Sequence, residues 1–286
     1  MNPEELKQTL ELQLSRVARL RFRQDDDALG EQLLALAQLH GMAEDHAAAA
    51  KIFAEAQPVL RKKRKLSEQA EAVLGQAVAT MHTGDTREAL LLISDAVAIC
   101  REAGDAKTEG NCNAAAAEIC RSLGDDEAAR AGFTEALALF RSVHAHGREA
   151  QVLVDLGDLD MAAARYPEAL ARFTEALPLA REAGDAALAA QCALLLGETA
   201  GLIGDHVQAR EALLEAQPHY AAVGPAALTA RVAWDLGLSH YYLGDYAEAE
   251  AQLSAAREHY AAAGHPDEVT RTEQALAAVR TKRLRN

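Results

Sequence analysis

Three carboxylates, Glu118, Asp158 and Glu198, recur at intervals of forty residues, and an amide stands seven residues ahead of each: Asn111, Gln151 and Gln191. A period shared by both residue types stacks them on neighbouring copies of one structural element, as a row of acids beside a row of amides. The acids would attract a ligand bearing Lys or Arg, and the amides could hydrogen-bond an extended peptide backbone. A plainly acid-rich surface is the alternative, since 43 Asp and Glu stand against 29 Lys and Arg, a formal charge of -14. The one tryptophan, Trp234, lies close to Tyr241 and Tyr242 in a chain with 4% aromatics. Large aromatics of this kind are typical binding anchors. The other reading is that Trp234 and Tyr241 pack against the C-terminal helix.

Catalysis finds no such support. The sequence has no phosphate-cradling glycine loop, no GxSxG and no HExxH. Asp158 with Glu198 is the nearest pair for acid–base work, but adjacent carboxylates on a solvated surface more often bind than catalyse, so the chain is expected not to be an enzyme. His144 and His146 flank Ala145 without further ligands nearby, and no metal or cofactor is expected. Cys100, Cys112, Cys120 and Cys192 form no CxxC pair and read as free thiols used as small apolar residues. Two basic clusters run against the overall charge: Arg61 to Lys65, and Arg280, Lys282, Arg283 and Arg285 in the tail. They suit solvated helix ends, or else an acidic partner or phosphate surface.

The elements that carry these residues are set by a second pattern. Ala49, Ala89, Ala129, Ala169, Ala209 and Ala249 are each followed seven residues later by another alanine, and between them stands Phe53, Ile93, Phe133, Phe173, Leu213 or Leu253. Small, large, small at spacings of four and three is one buried face of a helix. Gly-Asp junctions at Gly84, Gly124, Gly204 and Gly244 end one helix and cap the next, since glycine takes the left-handed conformation and aspartate accepts free amide hydrogens. The Ala164-Arg165 junction lacks both signals and predicts a weaker or differently shaped turn. Pro58, Pro178 and Pro218 fall inside helices, where each is expected to bend its helix.

Fourteen helices follow: a single all-α solenoid over 1–286, with an N-terminal capping helix in 1–24, six helix hairpins in 25–264, and a C-terminal capping helix with a basic tail in 265–286. The charge disfavours general nucleic-acid binding and favours neutral or basic partners. No stretch reaches the roughly 20 apolar residues that cross a bilayer, and the N-terminus has no signal-peptide pattern, so no membrane insertion and a cytoplasmic location are expected.

Here the chain resembles the tetratricopeptide repeat family. Its small residue is matched by Gly157, Gly197 and Gly237, and by Ala37, Ala77 and Ala117. The phrase Gly244 to Leu253, GDYAEAEAQL, is close to the family's usual one. The common unit is 34 residues, and a period of forty looks like the subgroup found in polarity adaptors, kinesin light chains and bacterial transcriptional sensors. The resemblance implies a right-handed superhelix whose first helices line a concave groove that binds peptides or helices. Carried over residue by residue, that groove holds Asn111, Glu118, Arg121, Gln151, Asp158, Gln191, Glu198, Arg231, Trp234, Leu238, Tyr241 and Tyr242. Arg121 and Arg231 are too few for a groove that grips a C-terminal carboxylate. The expected function is a non-enzymatic scaffold for a protein or peptide partner, basic ones included. The alternative is a regulatory sensor that acts through a separate protein, since only about 25 residues precede the first hairpin, too few for a helix-turn-helix reader. Self-association through exposed groove aromatics is a further expectation.

Overall fold

The computed structural model describes residues 2–284, so Arg285 of the tail lies outside the described residues. The chain forms two compact units, Met1–Ala145 and His146–Asn286. The first holds α1 (Pro3–Arg23), α2 (Asp26–Met42), α3 (His46–Lys62), α4 (Leu66–His82), α5 (Thr86–Ala103), α6 (Ala106–Ser122) and α7 (Asp126–Ser142). The second holds α8 (His146–Ala162), α9 (Tyr166–Glu182), α10 (Ala186–Leu202), α11 (His206–Val223), α12 (Ala226–Leu243), α13 (Tyr246–Ala263) and α14 (Pro266–Arg283). Within each unit every helix packs on its sequence neighbours as an antiparallel hairpin stack, and alternate helices also touch: α2 with α4 and α4 with α6, then α8 with α10 and α10 with α12.

The expected seam is the core. Ala169, Phe173 and Ala176 of α9 are fully buried, as are Ala209, Leu213 and Ala216 of α11, and Ala249, Leu253 and Ala256 of α13. The bulky residue fits a hole in the preceding helix. A Cβ on Gly197 would stand 2.5 Å from Leu213 Cγ, one on Gly237 2.6 Å from Leu253 Cγ, and one on Gly157 would collide with the Phe173 ring. Cys100, Cys112 and Cys192 are buried free thiols, and Cys120 is half-buried.

Turns follow a twenty-residue clock. Gln24, Glu44, Arg64, Gly84, Gly104, Gly124 and His144 take positive φ in the first unit, and Ala164, Gly184, Gly204, Gly244 and Gly264 do so in the second. Gly224 stands at the same register but is extended, at φ -76 and ψ 153, because the ring of Pro225 crowds the residue before it out of the helical region. The capping expected of aspartate is seen at Asp85, Asp125 and Asp205, whose side chains accept from the amides of Glu88, Ala128 and Gln208 at 3.0 Å. Pro58, Pro178 and Pro218 lie inside helices that run on through them.

The Ala164-Arg165 junction does not have the differently shaped turn expected of it. Ala164 takes φ 55, and the turn closes with the same bonds as its glycine counterparts: Ala164 N–H to Met161 O at 2.9 Å and Arg165 N–H to Asp160 O at 2.8 Å. The cause lies beneath it. Asp160, 1% exposed, accepts from Arg165 Nε at 3.0 Å and Arg172 Nε at 2.6 Å, and these charge-assisted bonds hold the turn against alanine's dislike of the left-handed region. Relieving that strain is expected to help: Ala164→Gly should raise the stability of the second unit by about 0.5–1 kcal/mol, read by urea unfolding. A loss of stability would show that Ala164 is unstrained.

Both basic clusters are partly paired with acids of the chain. Lys62 pairs with Asp26 at 2.5 Å, Lys63 with Asp27 at 2.5 Å, and Lys65 with Glu31, all on α2. Arg280 and Arg283 both grip Glu250, at 2.7 and 2.8 Å. These pairings favour the solvated-surface reading of the clusters over a docking patch for acids.

Candidate functional site

In the second unit α10, α12 and α14 wall a cavity of about 700 Å³. Residues at helical spacing on one face of α12 supply most of it: Leu228, Arg231, Trp234, Asp235, Leu238 and Tyr242. From α10 come Glu198 and Leu202, opposite them Glu268 and Arg271 of α14, and at the edges Met161, His206 and Tyr260. Gly197 and Gly201 of α10 also line the cavity.

Electrostatics set this cavity apart. The Glu198 side chain is 9% exposed, against 50% for Arg231, whose guanidinium pairs with Glu198 Oε2. Glu198 Oε1 is buried with no hydrogen-bond partner. Burial, and next the neighbouring Asp235 carboxylate, push Glu198 up to about 7 despite the opposing pull of Arg231. Burial likewise raises Asp235 to about 6, against Arg231 and Arg271. The Arg271 guanidinium lies 4.8 Å from the centroid of the Trp234 ring, within cation–π range. His206 stacks on Tyr242 with centroids 4.3 Å apart and planes 8° apart, and Tyr242 is 63% exposed.

The expected site residues separate accordingly. Glu198, Arg231, Trp234, Leu238 and Tyr242 meet in this cavity. Tyr241 does not line it. Its ring joins the cluster of Leu253, Leu276 and Val279 beneath α14, with Tyr246 5.8 Å away, as the packing alternative held. Trp234 serves both roles, lining the cavity and packing against the core clusters that hold Tyr260 and Leu276. Asp158 acts on Glu198 more weakly than Asp235 does. Gln151 donates to Asp155 on its own helix at 3.2 Å, and Gln191 is exposed on α10 outside the cavity. In the first unit Glu118 pairs with Arg121 on the same helix at 2.6 Å, which spends that acid and that base on each other.

Asn111 belongs to another cleft. In the first unit a cavity of about 610 Å³ is lined by Gln38, Met42, His46, Glu71, Leu74, Val78, His82 and Asn111. These are the residues four repeats ahead of Glu198, Leu202, His206, Arg231, Trp234, Leu238, Tyr242 and Arg271. The same cleft is thus built twice, and even the stacked pair recurs, with His46 and His82 centroids 4.3 Å apart. The chemistry differs: the buried acid, its guanidinium and the indole occur in the second unit alone.

The comparisons agree with this architecture. Residues 148–222, from α8 into α11, match the family model described as "Tetratricopeptide repeat". Over that segment the chain carries tetratricopeptide repeats. Similar solved structures share its fold. One is BtubC (BKLC) from P. vanneervenii, 19% identical, with a TM-score of 0.65 over 77% of this chain and 91% of that one. A second is a Signal Transduction ATPase with Numerous Domains (STAND) protein with a tetratricopeptide repeat sensor from Pyrococcus horikoshii. It is 16% identical, with a TM-score of 0.68, and 88% of this chain covers 41% of it. A third is the apo quorum sensor NprR from B. thuringiensis, 13% identical, with a TM-score of 0.56 over 94% of this chain and 87% of that one. None of the curated proteins compared matches the sequence. Among the described residues, no helix is long and apolar enough to cross a membrane.

Asp235, His206 and Arg271 were not expected at the site. Arg271 had a signal, since it falls forty residues after Arg231 and extends the same register into α14. Asp235 had none, because one more residue along α12 past Trp234 reads equally as surface or core.

Proposed function

We propose that this protein is a non-enzymatic interaction module that holds a peptide or helix of a partner in the α10–α12–α14 cleft of its second unit. The observation that carries this reading is the union of an aromatic shelf, the half-buried Trp234 and the exposed Tyr242, with a buried acid and two guanidiniums in a single cavity of about 700 Å³. That is the usual make-up of a binding site: an apolar wall with a few convergent polar groups. The forty-residue period, with helices of 17 or 18 residues from α2 to α14, supports placement in the long-repeat subgroup. A second reading, a ligand-responsive regulator, is supported by neighbours described as a tetratricopeptide repeat sensor and as a quorum sensor.

The test is capture. Wild-type protein carrying a photo-cross-linker at Leu238 should label a partner, and Trp234→Ala/Tyr242→Ala should weaken that complex by about thirtyfold or more, the usual effect of losing aromatic anchors. Circular dichroism confirms that the variant is folded. Undiminished capture by the variant would overturn this placement of the site.

A further inference from the structure

We infer that the second unit's cleft recognises a ligand through a cationic nitrogen bearing N–H donors, an ammonium seated against Glu198 and Asp235 with the Trp234 ring at its flank. This rests on the reading of the cleft as a binding site and names the chemistry that fills it.

Two observations converge on a cation. The first is a missing donor. Glu198 has one carboxylate oxygen held by Arg231, while Oε1 is buried and accepts from nothing in the chain. A buried acceptor without a donor is costly, and a small turn of the Glu198 side chain toward the cavity it lines would let a ligand N–H satisfy it. An anionic ligand would meet the same oxygen with repulsion. The second is the charge balance of the walls. Glu198, Asp235 and Glu268 face Arg231 and Arg271, so with all five ionised the cavity lacks one positive charge. Arg231 already holds one Glu198 oxygen and Arg271 lies on the indole, so both guanidiniums have a partner within the chain while Glu198 Oε1 has none. A cation between Glu198 and Asp235 would also relieve the mutual repulsion of that pair.

The first unit's cleft sharpens the contrast. At the registers of Glu198 and Asp235 it has Gln38 and Gly75, so the same cleft there lacks the acid pair that would seat an ammonium.

Trp234 is the single tryptophan of the chain, and its fluorescence therefore reports on this cleft in the intact protein. Four probes suffice: isoamylamine, isoamyl alcohol, the peptide acetyl-Leu-Lys-Leu-amide, and the same peptide acetylated on its lysine. Each ammonium probe should bind about tenfold or more tighter than its neutral partner. Affinity should rise with pH through about 7, where Glu198 loses its proton to solvent and its carboxylate can pair with the ligand's ammonium. The groups around Glu198 agree with that direction. Asp158 faces it from α8, Tyr220 from α11, and Arg231 and Asp235 from α12, with Arg271 and Glu268 across the cleft on α14. Glu198→Gln should remove most of the preference and the rise in affinity near pH 7, leaving only the smaller contribution of Asp235, and Asp235→Asn should reduce the preference. A lysine peptide that binds well above isoamylamine would assign the ammonium to a partner's side chain, whereas equal binding would assign it to a small free amine. Neutral probes binding as well as their ammonium partners, or no response from any probe, would overturn the inference. If capture through Leu238 still depends on Trp234 in that case, the cleft remains the binding site and only its charge preference fails.

Discussion

Phe173→Ala is expected to lower the stability of the second unit by about 3–5 kcal/mol, the range for removing a fully buried aromatic side chain. Phe173 is 0% exposed and stands between Ala169 and Ala176 on α9, with its ring against the bare backbone of Gly157 on α8. Glycine there supplies no side chain that could swing into the void, and the flanking alanines have no rotamers with which to fill it. The cavity should therefore persist and the loss should lie near the upper end of the range. The midpoint of thermal unfolding should fall by about 10 °C, followed through Trp234, which reports on the second unit because α12 belongs to it. The same knob in leucine form fits Gly197 and Gly237, so Phe173→Leu should recover most of the loss. A change below about 1 kcal/mol for Phe173→Ala would mean that the seam is not the core that holds these hairpins together.

The seam was open to sequence reading because its information is local and repeated. Six copies of small, large, small in one register leave a single helical phase that buries all of them, and Gly-Asp pairs mark where the phase stops. Readings failed where the deciding partner was distant or ambiguous. Ala164 turns like a glycine because Asp160 draws Arg165 and Arg172 to it from below, and no one-residue propensity carries that. The acids at Glu118, Asp158 and Glu198 differ in their surroundings for a related reason. Glu118 has Arg121 one turn away, and the carboxylate that presses hardest on Glu198 is Asp235, which lies off the forty-residue register of acids. A period reveals which positions are equivalent; which of them are satisfied by their own neighbours depends on side-chain reach, and that became visible only with the helices assembled. Trp234 shows the limit from the other side, since lining a cleft and packing under α14 proved compatible.

Glu198 should make the second unit less stable as the solution becomes more alkaline, and Glu198→Gln should reverse this. Its pKa in the folded chain is about 7 against an ordinary 4.5. Below about pH 4.5 the folded and unfolded chains both carry the proton and the group is neutral in the balance. Between there and about pH 7 the folded chain binds the proton and the unfolded chain does not, so stability falls as pH rises through this window. Above it the full penalty is present, about 3 kcal/mol for a shift of this size. Asp235, raised to about 6, acts in the same direction at somewhat lower pH. Glutamine removes the ionisable group and weakens only a contact with the half-exposed Arg231. The variant should therefore be more stable than wild type by about 2 kcal/mol near pH 8 and should lose that advantage near pH 5. Urea unfolding at the two pH values, followed through Trp234, measures it, and an equal difference at both would refute the cause assigned. A carboxylate that costs its own unit this much contributes nothing to folding that glutamine would not, and Gln38 shows that the same register accepts an amide. Stability given up at a concave site is the usual mark of a group kept for what it binds. An ammonium seated on Glu198 would cancel the desolvation, so the same buried acid that weakens the empty cleft would tighten the occupied one, and ligand and alkali should act on the stability of the second unit with opposite sign.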